Sequence, residues 1–309
     1  MCIVVAKYNK DLGWMIAKNR DQGYVAKGSI ICKTEPKVDE ILYLYDREMY
    51  YKEGMNAKGL TIITASLTPV IAAEHNKYDG MRIYEALHLT EPEEAAKYLI
   101  KNEVTGIIFC ATPDKLVIAE GARKDKDGEQ GQGDYVSKIR IVPKSETFVA
   151  ANHGISFSWA GFQKGYNDKE DMWAESSRTR QKDAIRNVKD ANTPEELLNG
   201  LSKWSNKNTQ MNVFRIENEP GQMRTLFQLV IVPSELKFYA RPIQTKLRVQ
   251  VPEDSKLKVE IMDNEMVQKI YGNRIKHLTK VDSPKEDGKT TDFNVEGFLG
   301  FRDYIETVL

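Results

Sequence analysis

The order in which strand-like and helix-like segments follow one another limits this chain more than any other feature. Residues 2–8 are a short β-branched run, Asn9-Lys10-Asp11 supplies turn residues, and 12–17 resumes as a strand, which together read as a hairpin. Further strand-like runs cover 41–45, 60–65, 106–111, 116–119, 139–142, 147–151, 224–232 and 236–240, the last two joined by a Pro-Ser turn. Thr90-Glu91-Pro92-Glu93 reads as a capping box with proline in the first turn, opening an amphipathic stretch through Ile100. Thr193-Pro194-Glu195-Glu196 repeats the device ahead of Leu197, Leu198, Leu201 and Trp204, and 175–188 reads as another helix. Strands, helices, strands, helix, strands is the order of a layered α+β sandwich and not of alternating βαβ units.

Composition removes several function classes. The 309 residues carry 45 Lys+Arg against 45 Asp+Glu, so no net charge draws the chain toward nucleic acid. Hydrophobic content of 41% supplies a core and argues against bulk disorder. No stretch approaches the roughly 18 to 20 apolar residues of a membrane span. The opening residues, Met1 to Lys7, lack the pattern of a signal peptide. Three cysteines, an odd and sparse set, argue against a disulfide framework and for a reducing, cytoplasmic setting. No Pro-rich or Ser-rich linker divides the chain, so residues 1–280 are expected to form one domain. Residues 281–309 are then an extension docking on it through the amphipathic stretch 298–308. The segments 123–134 and 281–292 read as solvated. Asp125 and Asp127 with Gly128 lack the remaining ligands of a calcium loop. His75, His88 and His277 have no ligand spacing, so no metal site is expected.

Cys2 directly follows Met1. Loss of Met1 would place a thiol and a free α-amino group on one residue. That amino group has an ordinary pKa of about 7.7–8.0, so it can accept the thiol's proton without a histidine. The alternative is a small buried hydrophobe at the start of a strand. Lys18-Asn19-Arg20-Asp21 ends the neighbouring strand. Lys18 and Arg20 share one strand face, so either can be the cation that lowers a thiol pKa, and Asp21 can hold the amino group. A solvated strand end would read the same way. Cys32 and Cys110 lie in apolar strand contexts that suit structural thiols.

Cys2, Asn19-Arg20-Asp21, Gly54-Met55-Asn56-Ala57-Lys58-Gly59-Leu60 and Ala151-Asn152-His153 together resemble the N-terminal-nucleophile hydrolases. The branch they resemble is that of choloylglycine hydrolase, penicillin V acylase and isopenicillin N acyltransferase. The first twenty-two residues are also similar to the Asn-Arg-Asp-Glu group of transport-and-Golgi-organisation proteins. The likeness covers roughly residues 1–240.

This resemblance implies a four-layer αββα sandwich and hydrolysis of a non-peptide linear amide through an acyl-enzyme, with no cofactor. The partner implied is a small-molecule acyl-amide substrate; nucleic acid and a membrane span are not, and a homo-oligomer is compatible. Cys2 would be the nucleophile and Asp21 would orient the new amino terminus. Asn152 would donate its side-chain amide to the oxyanion, with a main-chain N–H near Ser66 as second donor. Glu175-Ser176-Ser177-Arg178-Thr179-Arg180 resembles the family's Ser-Ser-x-x-Arg and makes Arg180 the second basic residue of the site. Asn56 and Ser66 are expected to contact substrate, and Trp159 either lines an acyl pocket or belongs to the core. Bile salt hydrolases carry arginine where this chain has Lys18, so Lys18 and Arg20 remain alternatives for the cation at Cys2. His153 with Cys2 or Cys110 would give a Cys–His pair, a further alternative. The alternatives are an acyltransferase on the same site and a non-catalytic binding or trafficking protein keeping the fold.

Overall fold

A computed structural model of the chain describes residues 2–22, 28–46, 50–67, 73–124, 133–162, 168–216, 223–243 and 247–263, with Glu265, Val267 and Lys269 beyond them. The hairpin of β1 (Cys2–Asn9) and β2 (Gly13–Gln22) forms as expected. It lies inside a six-stranded sheet ordered β10 (Phe148–Ala150), β1, β2, β11 (Arg224–Val232), β12 (Lys237–Pro242), β14 (Lys258–Ile261). An eight-stranded sheet runs β13 (Leu247–Gln250), β3 (Gly28–Glu35), β4 (Asp39–Asp46), β5 (Tyr50–Asn56), β6 (Thr61–Ala65), β7 (Gly106–Ala111), β8 (Leu116–Lys124), β9 (Asp134–Val142).

Apolar alternation decides which way each strand faces. Val4, Ala6, Trp14 and Ile16 of the smaller sheet meet Leu42, Leu44, Ile63 and Phe109 of the larger one in a single buried cluster. The intervening residues face outward. Ile3, Val5, Met15 and Ala17 pack with Ala184, Leu197 and Leu201, under α3 (Asp168–Asn187) and α4 (Pro194–Leu201). Ile41, Tyr43, Ile108 and Val117 pack with Ile83, Leu87, Ala96 and Leu99, in and beside α1 (Ala73–Ala86) and α2 (Pro92–Lys101). Helices, sheet, sheet, helices is the four-layer αββα order. Each fully buried Leu, Ile or Phe adds about 1.5–3 kcal/mol to holding the layers together.

Local chemistry explains most element ends and some differences from the sequence reading. α4 starts on a capping box in which Thr193 Oγ1 accepts from Glu196 N and Glu196 reaches back to Thr193 N. At α2 the box does not form. Pro92 takes the first helical position, so extended Glu91 becomes the N-cap without a side-chain bond and Thr90 falls outside. The charged stretch 123–134, read as solvated, gives both its ends to strands. Arg123 and Lys124 close β8 and Asp134 opens β9, because the register of this pair continues to Lys124 opposite Asp134. Asp125, Asp127 and Gly128, and the extension 281–309, lie outside the described residues. Gly54, in the string that resembles the family, sits where a Cβ would come 2.4 Å from Leu87 Cδ1 after α1, so glycine lets the helical layer approach β5.

Residues 247–261 extend both sheets. β13 adds in parallel to β3 and β14 adds in parallel to β12. Between them Glu40 accepts from Ser255 Oγ at 2.9 Å, Lys256 N at 2.8 Å and Leu257 N at 3.2 Å, and Leu257 enters the inter-sheet core. This strap ties the two sheets at one end. Glu40→Ala is expected to lower stability by about 1 kcal/mol in urea titration, as the Ser255 hydroxyl and the Lys256 and Leu257 amides lose this acceptor. Hydrogen exchange at the Leu257 amide should accelerate at the same time.

Candidate active site

The two faces of β2 carry two different buried polar clusters, and Cys2 stands between them. Cys2 is directly opposite Arg20 and Val4 is opposite Lys18, which places the thiol on the inter-sheet face beside both cations. There Lys18 Nζ donates to Glu53 Oε1 and, at 2.7 Å, to the Thr64 carbonyl. Arg20 Nη1 lies 3.5 Å from Glu53 Oε2. On the helix face Asn19 Nδ2 donates to the carbonyls of Leu201 at 2.8 Å and Val213 at 2.9 Å, a structural role. Asp21 Oδ1 accepts from Thr225 Oγ1 at 2.8 Å, while Arg180 Nη1 and Arg215 Nη1 each lie 3.7 Å from Oδ2. A β-bulge between Thr225 and Phe227 re-aims the strand so that the Thr225 hydroxyl reaches Asp21.

Asn152 joins these parts. Its Oδ1 accepts from Cys2 N at 3.1 Å and from Arg180 Nη2 at 3.0 Å, and its Nδ2 donates to the Ser66 carbonyl at 2.7 Å. Two donors on Oδ1 fix the amide orientation. Of the two Nδ2 hydrogens one is committed to the Ser66 carbonyl. Arg180 Nη1 also donates to the Cys2 carbonyl at 3.1 Å. The Asn152 main-chain N–H is taken by Ser177 Oγ at 2.8 Å.

Burial pushes the Cys2 thiol up, but Lys18, the amino-terminal charge and Arg20 more than offset it. Against the opposing charge of Asp21, the thiol is held below its ordinary range. Cys110 is different: buried with no charge to compensate, its thiol is raised well above the ordinary range. Cys32 is raised by burial as well, and its sulfur lies 3.3 Å from Ser255 Oγ. Of the three thiols, Cys2 alone is shifted down, while Cys32 and Cys110 are shifted up.

His153 does not complete a Cys–His pair through its hydrogen bonds. Its Nδ1 lies 2.9 Å from Ser177 Oγ. Burial, with Arg178 next, pushes its pKa down to about 4, so the ring is neutral near pH 7. Because Ser177 Oγ already accepts from Asn152 N, its own hydrogen is available to His153 Nδ1.

Residues 152–162 form a closed loop. Gly154 N donates to Ala160 O at 2.7 Å and Phe162 N donates to Asn152 O at 2.9 Å. Glu120 of β8 anchors the far side, accepting from Ile155 N at 3.0 Å and Ser156 N at 2.7 Å. Gly161 has φ of 76°, and a Cβ there would lie 2.3 Å from the Asn152 carbonyl oxygen. Phe157 and Trp159, half-buried with ring centroids 5.6 Å apart, pack against the inter-sheet core.

Of the residues singled out in the sequence, Cys2, Lys18, Arg20, Asp21, Asn152 and Arg180 converge, and Ser66 joins them through its carbonyl. Asn56 does not. It is fully buried, and its side chain binds the carbonyls of Leu87 and Leu89 and the amides of Lys58 and Leu60, bracing the β5–β6 turn. Trp159 sits at the core's margin on the Asn152 loop. Sequence reasoning missed Glu53, Glu120, Ser177 as a partner of Asn152, Thr225 and Arg215. Ser177 lay within the quoted Ser-Ser string. Arg215, fully buried, sits in an irregular segment with no local pattern to announce it. Among the described residues no group of three or more His, Cys, Asp or Glu is arranged to hold a metal, and no helix is long and apolar enough to cross a membrane.

No family model matches the chain, and no curated protein matches it. Solved structures do resemble it. An N-acylethanolamine-hydrolyzing acid amidase ortholog from Caenorhabditis elegans aligns at 10% identity with a TM-score of 0.44, over 75% of this chain and 93% of that one. A variant of the conjugated bile acid hydrolase from Clostridium perfringens aligns at 13% identity with a TM-score of 0.46, over 79% and 90%. Penicillin V acylase from Agrobacterium tumefaciens aligns at 13% identity with a TM-score of 0.40, over 85% and 100%.

Gly161→Ala tests the loop geometry. Left-handed backbone costs a non-glycine residue about 1–2 kcal/mol, and the Cβ clash displaces Asn152 as well. The protein should still fold, with circular dichroism unchanged, while the Asn152 side-chain amide signal shifts in the NMR spectrum.

Proposed function

We propose that this chain is a cysteine N-terminal-nucleophile hydrolase of the choloylglycine hydrolase branch, cleaving non-peptide linear amides. The observation that carries the reading is the Asn152 side chain, which bridges Cys2 N and the Ser66 carbonyl while Arg180 holds both Cys2 O and Asn152 Oδ1. An apolar structural role for Cys2 calls for no such collar of buried polar groups. A thiol held below its ordinary range by Lys18 and Arg20 supports it further.

Removal of Met1 would free the α-amino group of Cys2, whose nitrogen already donates to Asn152 Oδ1, and the Asp21 carboxylate would hold the resulting charge. The amine takes the thiol proton and the thiolate attacks the carbonyl carbon. Negative charge gathers on the carbonyl oxygen, where the second Nδ2 hydrogen of Asn152 and a main-chain N–H near Ser66 receive it. Collapse breaks the C–N bond, and the α-ammonium returns the proton to the leaving amine. Water then attacks the thioester, releasing the acid and restoring the thiol. No cofactor enters, and the free thiols fit a reducing, cytoplasmic setting.

A panel of fluorogenic N-acyl amides of varied acyl length tests this. Cys2→Ala should abolish turnover with the urea midpoint unchanged, and Asn152→Ala should lower kcat by about 10²–10³. Turnover retained in Cys2→Ala would overturn the proposal.

A further inference from the structure

A lysine with almost no exposure has little reason to stay charged by itself. Lys18 is 2% exposed, in the layer between the two sheets. Burial disfavours an ammonium, and buried lysines lose their proton unless a counter-charge and hydrogen bonds hold it. Lys18 has both: Glu53 Oε1 and the Thr64 carbonyl. Glu53 is fully buried on β5, on the opposite sheet from Cys2. Its other oxygen, Oε2, makes no hydrogen bond and faces Arg20 Nη1 at 3.5 Å.

We propose that Glu53 is a positioning residue for the reactive thiol: it keeps Lys18 protonated and aimed at the Cys2 side of the cleft, and thereby sets the reactivity of Cys2 from the other sheet. The inference rests on Cys2 being the reactive thiol. The charged groups facing that thiol come from several elements. Lys18 and Arg20 belong to β2, and Asp21 lies on the far face of the same strand. Arg180 comes from α3 and Arg215 from the segment before β11, and the amino-terminal charge lies one residue ahead of Cys2. Lys18 is the strongest of the cations acting on Cys2, and Glu53 holds its ammonium by a hydrogen bond. Glu53 therefore acts through Lys18. This also accounts for a lysine in place of an arginine. A guanidinium would remain charged without help, whereas an ammonium makes thiol reactivity depend on its partner.

The test follows the ionisation of Cys2 and needs no substrate. The pH dependence of iodoacetamide alkylation is mapped to the amino-terminal peptide by mass spectrometry in the full chain, for wild type, Lys18→Met, Glu53→Gln and the double variant. Lys18→Met should raise the apparent thiol pKa by about one unit or more. Glu53→Gln should raise it by the same amount, and the double variant should equal Lys18→Met. An unchanged or lowered value in Glu53→Gln overturns the proposal. Should Glu53→Gln alone fail to fold, the double variant, with both charges of the pair removed, still decides. A pKa below that of Lys18→Met would mean that Glu53 acts on the thiol directly and would equally overturn it. The alkylation pattern holds whether or not any amide is turned over, so a failure of the proposed activity is read separately.

Discussion

The guanidinium of Arg180 is the contact on which the rest of the site depends. It is fully buried, and from α3 it reaches the Cys2 carbonyl on β1, the Asn152 side chain beyond β10 and, at longer range, Asp21 on β2. A buried charge is tolerated only when paired and hydrogen-bonded, and removing one partner of such a set costs about 3–5 kcal/mol. The first residue of the first strand is therefore held by the same group that orients Asn152. Helix, sheet edge and loop are placed relative to one another by one planar fork.

Around that fork the chain concentrates charge that its overall composition hides. Formal net charge is zero over 309 residues, yet Lys18, Arg20, Arg180 and Arg215 are buried near Cys2 against the carboxylates Asp21 and Glu53. In a low-dielectric interior these charges act strongly, and the thiol is lowered despite its burial. β2 divides the labour by its alternation. Lys18 and Arg20 face the thiol between the sheets, and Asp21 faces the arginines under the helices. Substitution at 18 or 20 thus acts on the sulfur, whereas substitution at 21 acts on the frame of arginines as well as on the sulfur.

Much of this was legible in the sequence, for definite reasons. The β1–β2 hairpin followed from β-branched runs around Asn9-Lys10-Asp11, and α4 followed from Thr193 and Glu196. Those are local signals, carried within a few residues. The convergence of Cys2, Asn152 and Arg180 came only through likeness to a family, since residues some 150 positions apart share no periodicity. What stayed hidden was decided by tertiary packing. Asn56 looked like a site residue because it sits in a family-like string, but its side chain is spent on the carbonyls of Leu87 and Leu89. Glu53, three residues earlier, carries no local mark of its role, because its partner Lys18 lies 35 residues away in sequence and on the other sheet. The strap at 247–261 gave no signal either, because two four-residue strands that pair in parallel with distant edges have no turn chemistry to mark them.

The proposed chemistry requires Cys2, once its amino group is freed, to form a covalent acyl intermediate in the cradle of Asn152 and Arg180. Intact-mass spectrometry of the full chain after brief reaction with a thiol-reactive acyl probe addresses it directly, with the Cys2→Ser variant alongside. The expected product is a chain lacking Met1 and carrying one acyl group, located on residue 2 by fragmentation and absent from the variant. A chain that keeps Met1, or equal labelling of wild type and variant, would contradict it.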